Sequence, residues 1–333
     1  MTVRWGLLAA AAIGSMVVRA TQSSDVARFV AVGSRTLDRA RAFADEHHLP
    51  VALGSYEELV ASDAVDAVYV AAPVALHAEW TIKALQAGKH VLCEKPFAQT
   101  PAEVARAFDA AEAAERFLAE GLMWRLHPQT ALVRRLVAKG AIGALRHIRG
   151  ALTVRPGPVD IRRQKATGGS ALYDLGAYCV SAGRMFAGTP LRVFAESTTD
   201  GGEVDYRTVG TMWHAGAVTT SFDVGFDMPR RDELELIGSD GKIIVNDPWL
   251  CRATTVGLFR DGEGHSDLPI DPEGAWGLDE TEPQVYRFEL EAVSHAIEAG
   301  QRRLEFGRDD AIDQARTLSA LLQSGVEHVP VAP

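Results

Sequence analysis

Val3-Arg4-Trp5-Gly6-Leu7-Leu8-Ala9-Ala10-Ala11-Ala12-Ile13-Gly14 decides how the whole chain is read. Arg4 precedes an almost unbroken apolar run that reaches Val18, and Val18-Arg19-Ala20 has the small-x-small form of a cleavage site. Taken alone, that outlines a secretory signal. The competing reading is a buried parallel strand, Val3–Ala9, turning into a helix that begins near Ala11. It is favoured because a second apolar strand, Phe29–Gly33, follows at βαβ spacing, and cleavage would remove the first strand from its sheet. The run is also too short to span a bilayer.

Outward from this point the same alternation repeats. Strands are predicted at Val51–Leu53, Ala67–Ala71, His90–Cys93 and Phe117–Glu120, with helices near 11–21, 37–47, 56–61, 75–87 and 101–116. Thr100-Pro101-Ala102-Glu103 has the hydroxyl, proline and glutamate of a helix start, and Gly88 suits the end of the preceding helix. Such alternation implies a doubly wound parallel sheet of the Rossmann type. After about residue 122 the pattern changes. A helix near 129–139 precedes alternating runs at 146–154, 191–197, 208–213, 218–226, 234–238 and 242–246, with turns at Gly201-Gly202, Ala215-Gly216 and Ser239-Asp240-Gly241. These predict a large, mostly antiparallel open sheet of about six strands, closed by helices near 283–299 and 308–323. The fold class is therefore α/β plus α+β, with a dinucleotide-binding domain over 1–121 and a substrate-binding and oligomerisation domain over 122–333.

The composition narrows the function. Among 333 residues, 44 acidic and 34 basic side chains leave 44 − 34 = 10 net negative charges, which disfavours nucleic acid and anionic membrane as partners. Three scattered cysteines, Cys93, Cys179 and Cys251, suit neither a disulfide framework nor a zinc site, so no metal and a reducing, cytoplasmic setting are expected.

Where GxGxxG would open a dinucleotide site, the chain has Ala9-Ala10-Ala11-Ala12-Ile13-Gly14, and only the last glycine survives. Small residues still let backbone amides at a helix N-terminus approach a pyrophosphate. The second strand ends in Gly33-Ser34-Arg35, with Arg39 a turn later, in place of the carboxylate that would accept from an NAD ribose. Guanidinium suits a 2′-phosphate bidentately, which favours NADP(H), with NAD(H) possible. The bland alternative pairs these arginines with Asp38 or Asp45 on a solvated helix flank.

The fifth strand runs into Cys93-Glu94-Lys95-Pro96, at the strand end where ligands bind in such sheets. Pro96 favours extended backbone at Lys95. Further on, Asp174 and Tyr178 sit four apart in Gly168-Gly169 through Asp174-Leu175-Gly176-Ala177-Tyr178, on one face of an expected helix start. A phenol beside a buried ammonium is a suitable proton donor, because the cation favours the phenolate.

Taken together, Arg4-Trp5-Gly6-Leu7, Ser34-Arg35, Tyr56-Glu57-Glu58-Leu59, His77, Gly88 through Pro96, and Gly168 through Tyr178 resemble the glucose–fructose oxidoreductase/inositol dehydrogenase (Gfo/Idh/MocA) family over nearly the full length. Trp124-Arg125-Leu126-His127-Pro128 and the Asp174–Cys179 run point to the branch of dimeric dihydrodiol dehydrogenases and NADP-dependent sugar dehydrogenases and ketoreductases. The resemblance implies that Lys95 hydrogen-bonds the reacting oxygen, Tyr178 is the general acid/base, Asp174 lines the site and His77 lies near the nicotinamide. The expected cofactor-binding residues are Ala9, Ala10, Ala11, Ala12, Ile13, Ser34, Arg35, Arg39, Ala71, Ala72, Pro73, His77, Glu94 and Lys95. Substrate contacts are expected from Lys95, Trp124, Arg125, Arg162, Asp174, Tyr178 and Trp249, with the two indoles as a wall against a sugar face.

These features predict an NADP(H)-dependent oxidoreductase interconverting a secondary alcohol or lactol with a carbonyl on a sugar, sugar derivative or vicinal diol. The weakened glycine turn motivates the alternative, a non-catalytic NADP-binding sensor on the same fold. A homodimer or higher oligomer through the open sheet is expected, because only one face of that sheet can pack on its own helices.

Overall fold

The computed structural model describes residues 2–199, 201, 204–278 and 284–333. Gly202, in the predicted Gly201-Gly202 turn, and position 283, where the first closing helix was expected to begin, lie outside them. The chain divides into two compact units, one of Met1–Leu122 with Val285–Ile312, the other of Met123–Gln284 with Asp313–Pro333.

The first unit carries β1 (Val3–Leu8), α1 (Ala12–Ala20), β2 (Ala27–Gly33), α2 (Leu37–His47), β3 (Val51–Leu53), α3 (Tyr56–Ala61), β4 (Ala67–Val70), α4 (His77–Gln86), β5 (His90–Glu94), α5 (Pro101–Ala114) and β6 (Leu118–Gly121). The strands form one parallel sheet in the order β3-β2-β1-β4-β5-β6. The apolar start is thus a central strand, with Trp5, Leu7 and Leu8 fully buried. Thr100 and Glu103 form a reciprocal capping box at the head of α5, and Gly88 adopts φ +80° after α4. The chain order changes direction between β1 and β4, which in open sheets places ligands at the carboxyl ends of those strands.

A simple boundary after residue 121 omits a return of the chain. α8 (Val285–Glu298) packs back on β1 and β2, and the buried Trp5 indole donates to Ser294 Oγ at 3.0 Å. Near the end of this return, Arg308 pairs with Asp109 of α5.

In the second unit, α6 (Pro128–Ala138) is followed by β7 (Leu145–Thr153), α7 (Ala177–Ala187), β8 (Arg192–Thr199), β9 (Asp205–Trp213), β10 (Thr219–Gly225), β11 (Arg231–Gly238), β12 (Gly241–Asn246), β13 (Thr255–Arg260) and β14 (Gly264–Pro269). The long α9 (Arg308–Glu327) ends the helical content. The sheet has eight strands, two more than expected, in the order β14-β13-β12-β11-β7-β10-β9-β8, and only the β7–β10 pairing is parallel. Its inner face buries Ile148, Phe222, Leu234, Leu236 and Ile243. There α7 lies so close to β7 that a Cβ on Gly150 would stand 3.1 Å from Cys179 Sγ, so Cys179 is packing. The outer face mixes ion pairs with the half-buried Ile237 and Ile244: Arg231 bonds Asp223 and Glu233, Arg149 lies 3.7 Å from Glu233, and Lys242 bonds Glu235. No helix among the described residues is long and apolar enough to cross a membrane.

Candidate active site

The turn after β1 carries the first surprise. Ala9 has φ +88°, a left-handed backbone that favours glycine, so the chain keeps the geometry of the fingerprint without its residue. Ala11 is the N-cap of α1 and makes no side-chain capping bond, so the first amides of that helix, those of Ala12 and Ile13, are left for another acceptor. A phosphate would meet that need. Gly14 survives for packing: a Cβ there would stand 2.5 Å from Leu7 Cδ2.

Beyond β2, Ser34 is buried and its amide donates to Leu53 O at 3.1 Å, while Arg35 and Arg39 are exposed. Neither guanidinium has an ion pair or side-chain hydrogen bond among the described residues, so the expected bland partners Asp38 and Asp45 do not hold them. Both charges act on Tyr56, easing down a phenol that burial pushes up more strongly. The uncapped amides and the two uncommitted cations fit a dinucleotide bearing an extra phosphate.

At the ends of β4 and β5, Ala71 and Ala72 are buried and Pro73 is half-buried. His77, expected near the nicotinamide, has both ring nitrogens against backbone: Nε2 lies 2.7 Å from Ala72 O and Nδ1 2.9 Å from Pro96 O. Burial lowers its pKa, and a neutral ring donates to only one of the two carbonyls. Its observed bonding ties the β4 loop to the β5 loop. Glu94 also faces inward, accepting from the Tyr69 hydroxyl at 2.5 Å and from the Lys95 amide at 3.1 Å. Lys95 is half-buried, and its bond to Pro96 is cis.

In the second unit Tyr178 lies in the first turn of α7, 7% exposed, with its hydroxyl 3.5 Å from Met123 Sδ. Asp174 precedes it in a π-turn, Leu172–Gly176, where a plain helix start was expected. The extra residue per turn is a feature that apolar periodicity does not announce. Asp205 Oδ2 accepts from the Leu172 amide and pins that turn. Arg162 is held by a bidentate pair to Asp160 and lies 3.5 Å from Asp174, so its charge is shared between two carboxylates. Arg125 is buried and donates to Ser181 Oγ at 2.7 Å.

Trp124 and Trp249 do not form an exposed wall. Each is 1% exposed, and they meet edge-on at 5.6 Å while Trp249 lies 5.6 Å from the Tyr178 ring. The Trp249 indole N–H is spent on Ala151 O. Apolar residues this large are drawn into the core, where they brace Tyr178. Tyr69, which bonds Glu94, and Glu289, whose charge Glu94 opposes, lie outside every motif read from the sequence.

A doubly wound parallel sheet, an uncapped helix at its first crossover and cations after its second strand define a dinucleotide-binding protein. Residues 3–122 match the oxidoreductase family with an NAD-binding Rossmann fold, Gfo/Idh/MocA, and residues 130–244 match a C-terminal domain of that family. The chain is 35% identical over 326 residues to D-xylose 1-dehydrogenase (NADP(+)) 2 of Haloferax volcanii, covering 96% of each. It is 30% identical over 276 residues to trans-1,2-dihydrobenzene-1,2-diol dehydrogenase of Homo sapiens, covering 82% of this chain and 81% of that one. Among solved structures it is similar to KijD10, a 3-ketoreductase from Actinomadura kijaniata in complex with NADP and TDP-benzene, at a TM-score of 0.87, 29% identity, and 97% and 98% coverage. The chain belongs to the Gfo/Idh/MocA family and is an oxidoreductase.

Proposed function

We propose that the protein is an NADP(H)-dependent oxidoreductase that interconverts a secondary alcohol or lactol with a carbonyl on a sugar, sugar derivative or vicinal diol. The observation that carries the cofactor choice is the end of β2, where two uncommitted guanidiniums follow Ser34 and no carboxylate stands. Relatives named as NADP-dependent xylose dehydrogenase and as dihydrodiol dehydrogenase support the substrate class.

When bound, the nicotinamide supplies or accepts the hydride. In reduction, Tyr178 donates its phenolic proton to the oxygen as negative charge develops there. Lys95 hydrogen-bonds that oxygen and stabilises the charge as it forms, where differential binding raises turnover. In oxidation Tyr178 takes the hydroxyl proton. Asp174 and Arg162 line the substrate side. A panel of D-xylose, other aldoses, keto-sugars and vicinal diols with NADP+ or NADPH, followed by nicotinamide absorbance, tests the assignment. Turnover confined to NAD+, or none with any member, sinks it. Tyr178→Phe should cut turnover by roughly two to four orders of magnitude while NADPH binding survives; near-wild-type turnover removes Tyr178 from this role.

A pure NADP sensor needs neither Lys95 nor Tyr178, and the retention of both favours the enzyme. We place the enzyme in the cytoplasm, in keeping with its three free, buried thiols. We also propose a homo-oligomer through the outer face of the eight-stranded sheet. Light scattering of the full-length protein should give the mass of a dimer or larger, and a monomer at every concentration rejects the proposal.

A further inference from the structure

Tyr56-Glu57-Glu58-Leu59 is a recognisable motif to which the proposed chemistry gives no task. Its position supplies one. β2 and β3 run parallel, with Gly33 level with Leu53, so the segments leaving both strands emerge side by side at one edge of the sheet. The Ser34 amide bonds Leu53 O, and a Cβ on Gly54 would lie 3.3 Å from Leu37 Cβ, which brings the start of α2 against the start of α3.

Within that junction Ser55 and Glu58 are already engaged. Ser55 caps the helix by accepting from the Glu58 amide at 3.0 Å, and Glu58 accepts in turn from the Gly54 amide at 2.9 Å. Tyr56 is 9% exposed, and its ring is set edge-on against Trp80 at 5.0 Å, with Lys83 Nζ 4.2 Å from the centroid of the indole ring. Nothing among the described residues hydrogen-bonds the Tyr56 hydroxyl. The phenol is fixed by its ring, its unbonded hydroxyl opens to solvent, and it lies within electrostatic reach of two uncommitted guanidiniums, so an anion at this edge would serve both kinds of donor.

We propose that Tyr56 is a third member of the 2′-phosphate site, its hydroxyl donating to the phosphate that Arg35 and Arg39 neutralise. Burial outweighs the two positive charges and holds the phenol above its ordinary value, so the hydroxyl keeps the proton it would donate. Ser55 and Glu58 then fix the turn that presents the ring, and Trp80 fixes the ring itself. Tyr56 thereby becomes a determinant of cofactor choice, remote from the reacting atoms.

This inference rests on the NADP(H) reading, and the test separates the two. Binding of NADPH and of NADH is measured by nicotinamide fluorescence on the full-length protein and on Tyr56→Phe, with thermal melting as a check on folding. Phenylalanine keeps the ring against Trp80. The variant should lose about tenfold in NADPH affinity, the usual worth of one hydrogen bond to a charged group, with NADH affinity unchanged. Equal weakening toward both cofactors would mean that Tyr56 only packs the fold or the adenosine, and overturns the proposal. Unchanged NADPH binding overturns it as well. A wild-type protein that binds NADH as tightly as NADPH removes the NADP(H) reading, and the proposal with it. Should Tyr56→Phe melt early, Arg35→Gln in the wild-type and Tyr56→Phe backgrounds gives the coupling: non-additive losses for NADPH alone support the shared phosphate, and additive losses reject it.

Discussion

Ala9 occupies a conformation that its own side chain resists. A left-handed backbone costs an L-residue about 1–2 kcal/mol, and such strain persists where surrounding structure holds it in place. Here β1 on one side and α1 on the other fix the turn, with the Ala9 amide on Gly33 O and its carbonyl taking the Ala11 amide. Ala9→Gly should therefore stabilise the fold by about 1 kcal/mol, after allowing for glycine's greater freedom when unfolded. Urea denaturation reads this directly, and a variant no more stable than wild type shows that the turn bears no strain. Glu289 poses the opposite problem. Among the described residues neither carboxylate oxygen has a hydrogen-bond partner, and burial first, then the charge of Glu94, holds its pKa well above the usual 4.5. Because the folded pKa exceeds the unfolded one, the acid's contribution is intact below the unfolded value. It is lost as pH rises through the folded value. Glu289→Gln should flatten this loss and leave the variant more stable than wild type in mild alkali. Denaturation curves that fall in parallel for both proteins across that range reject the assignment.

At the scale of elements, Gly14 joins sequence and packing most clearly. It lets α1 settle on β1, where Leu7 Cδ2 leaves no room for a methyl group. Gly14→Ala should cost about 1–3 kcal/mol by overpacking, read as a lowered denaturation midpoint, despite alanine's better helix propensity. A stability gain would show that the helix can shift freely. The first sheet was legible because its central strands are buried on both faces and read as apolar runs, from Trp5 to Leu8 and from Ala67 to Val70. β14 was not, since Gly264–Pro269 is an edge strand, solvated nearly throughout, whose His265, Ser266 and Asp267 carry no apolar period. The π-turn before Tyr178 escaped for a related reason: Leu172 and Leu175 suit an α-helix as well, and the wider turn is fixed by Asp205, far away in sequence. Local motifs identified Lys95, Tyr178 and the arginines as candidates. They could not tell that Trp124 and Trp249 would turn inward, because an indole's wish for burial is the same in a wall and in a core.

At the scale of the whole molecule, the ten net negative charges are spread over a fold that carries, after its second strand, two cations uncommitted among the described residues, so the average conceals the local field. The path of the chain carries a further consequence. The first unit takes its covering helix α8 from a segment more than 160 residues beyond β6, whose last residue is Gly121 and whose return begins at Val285. Val285, Tyr286, Leu290 and Val293 of that helix are buried, and Trp5 at the centre of the sheet donates to Ser294. A fragment ending at residue 122 would therefore expose the apolar face over β1 and β2 and leave a buried indole N–H without its partner, each costing about 1–3 kcal/mol or more. Stability of this order is a large share of what a small domain possesses. The fragment should bind a hydrophobic dye and melt without a cooperative transition. Rejoining it by a short flexible linker to residues 285–312 should restore a sharp melt. A fragment ending at 122 that melts cooperatively without dye binding would show that the first sheet needs no helix from the far end of the chain.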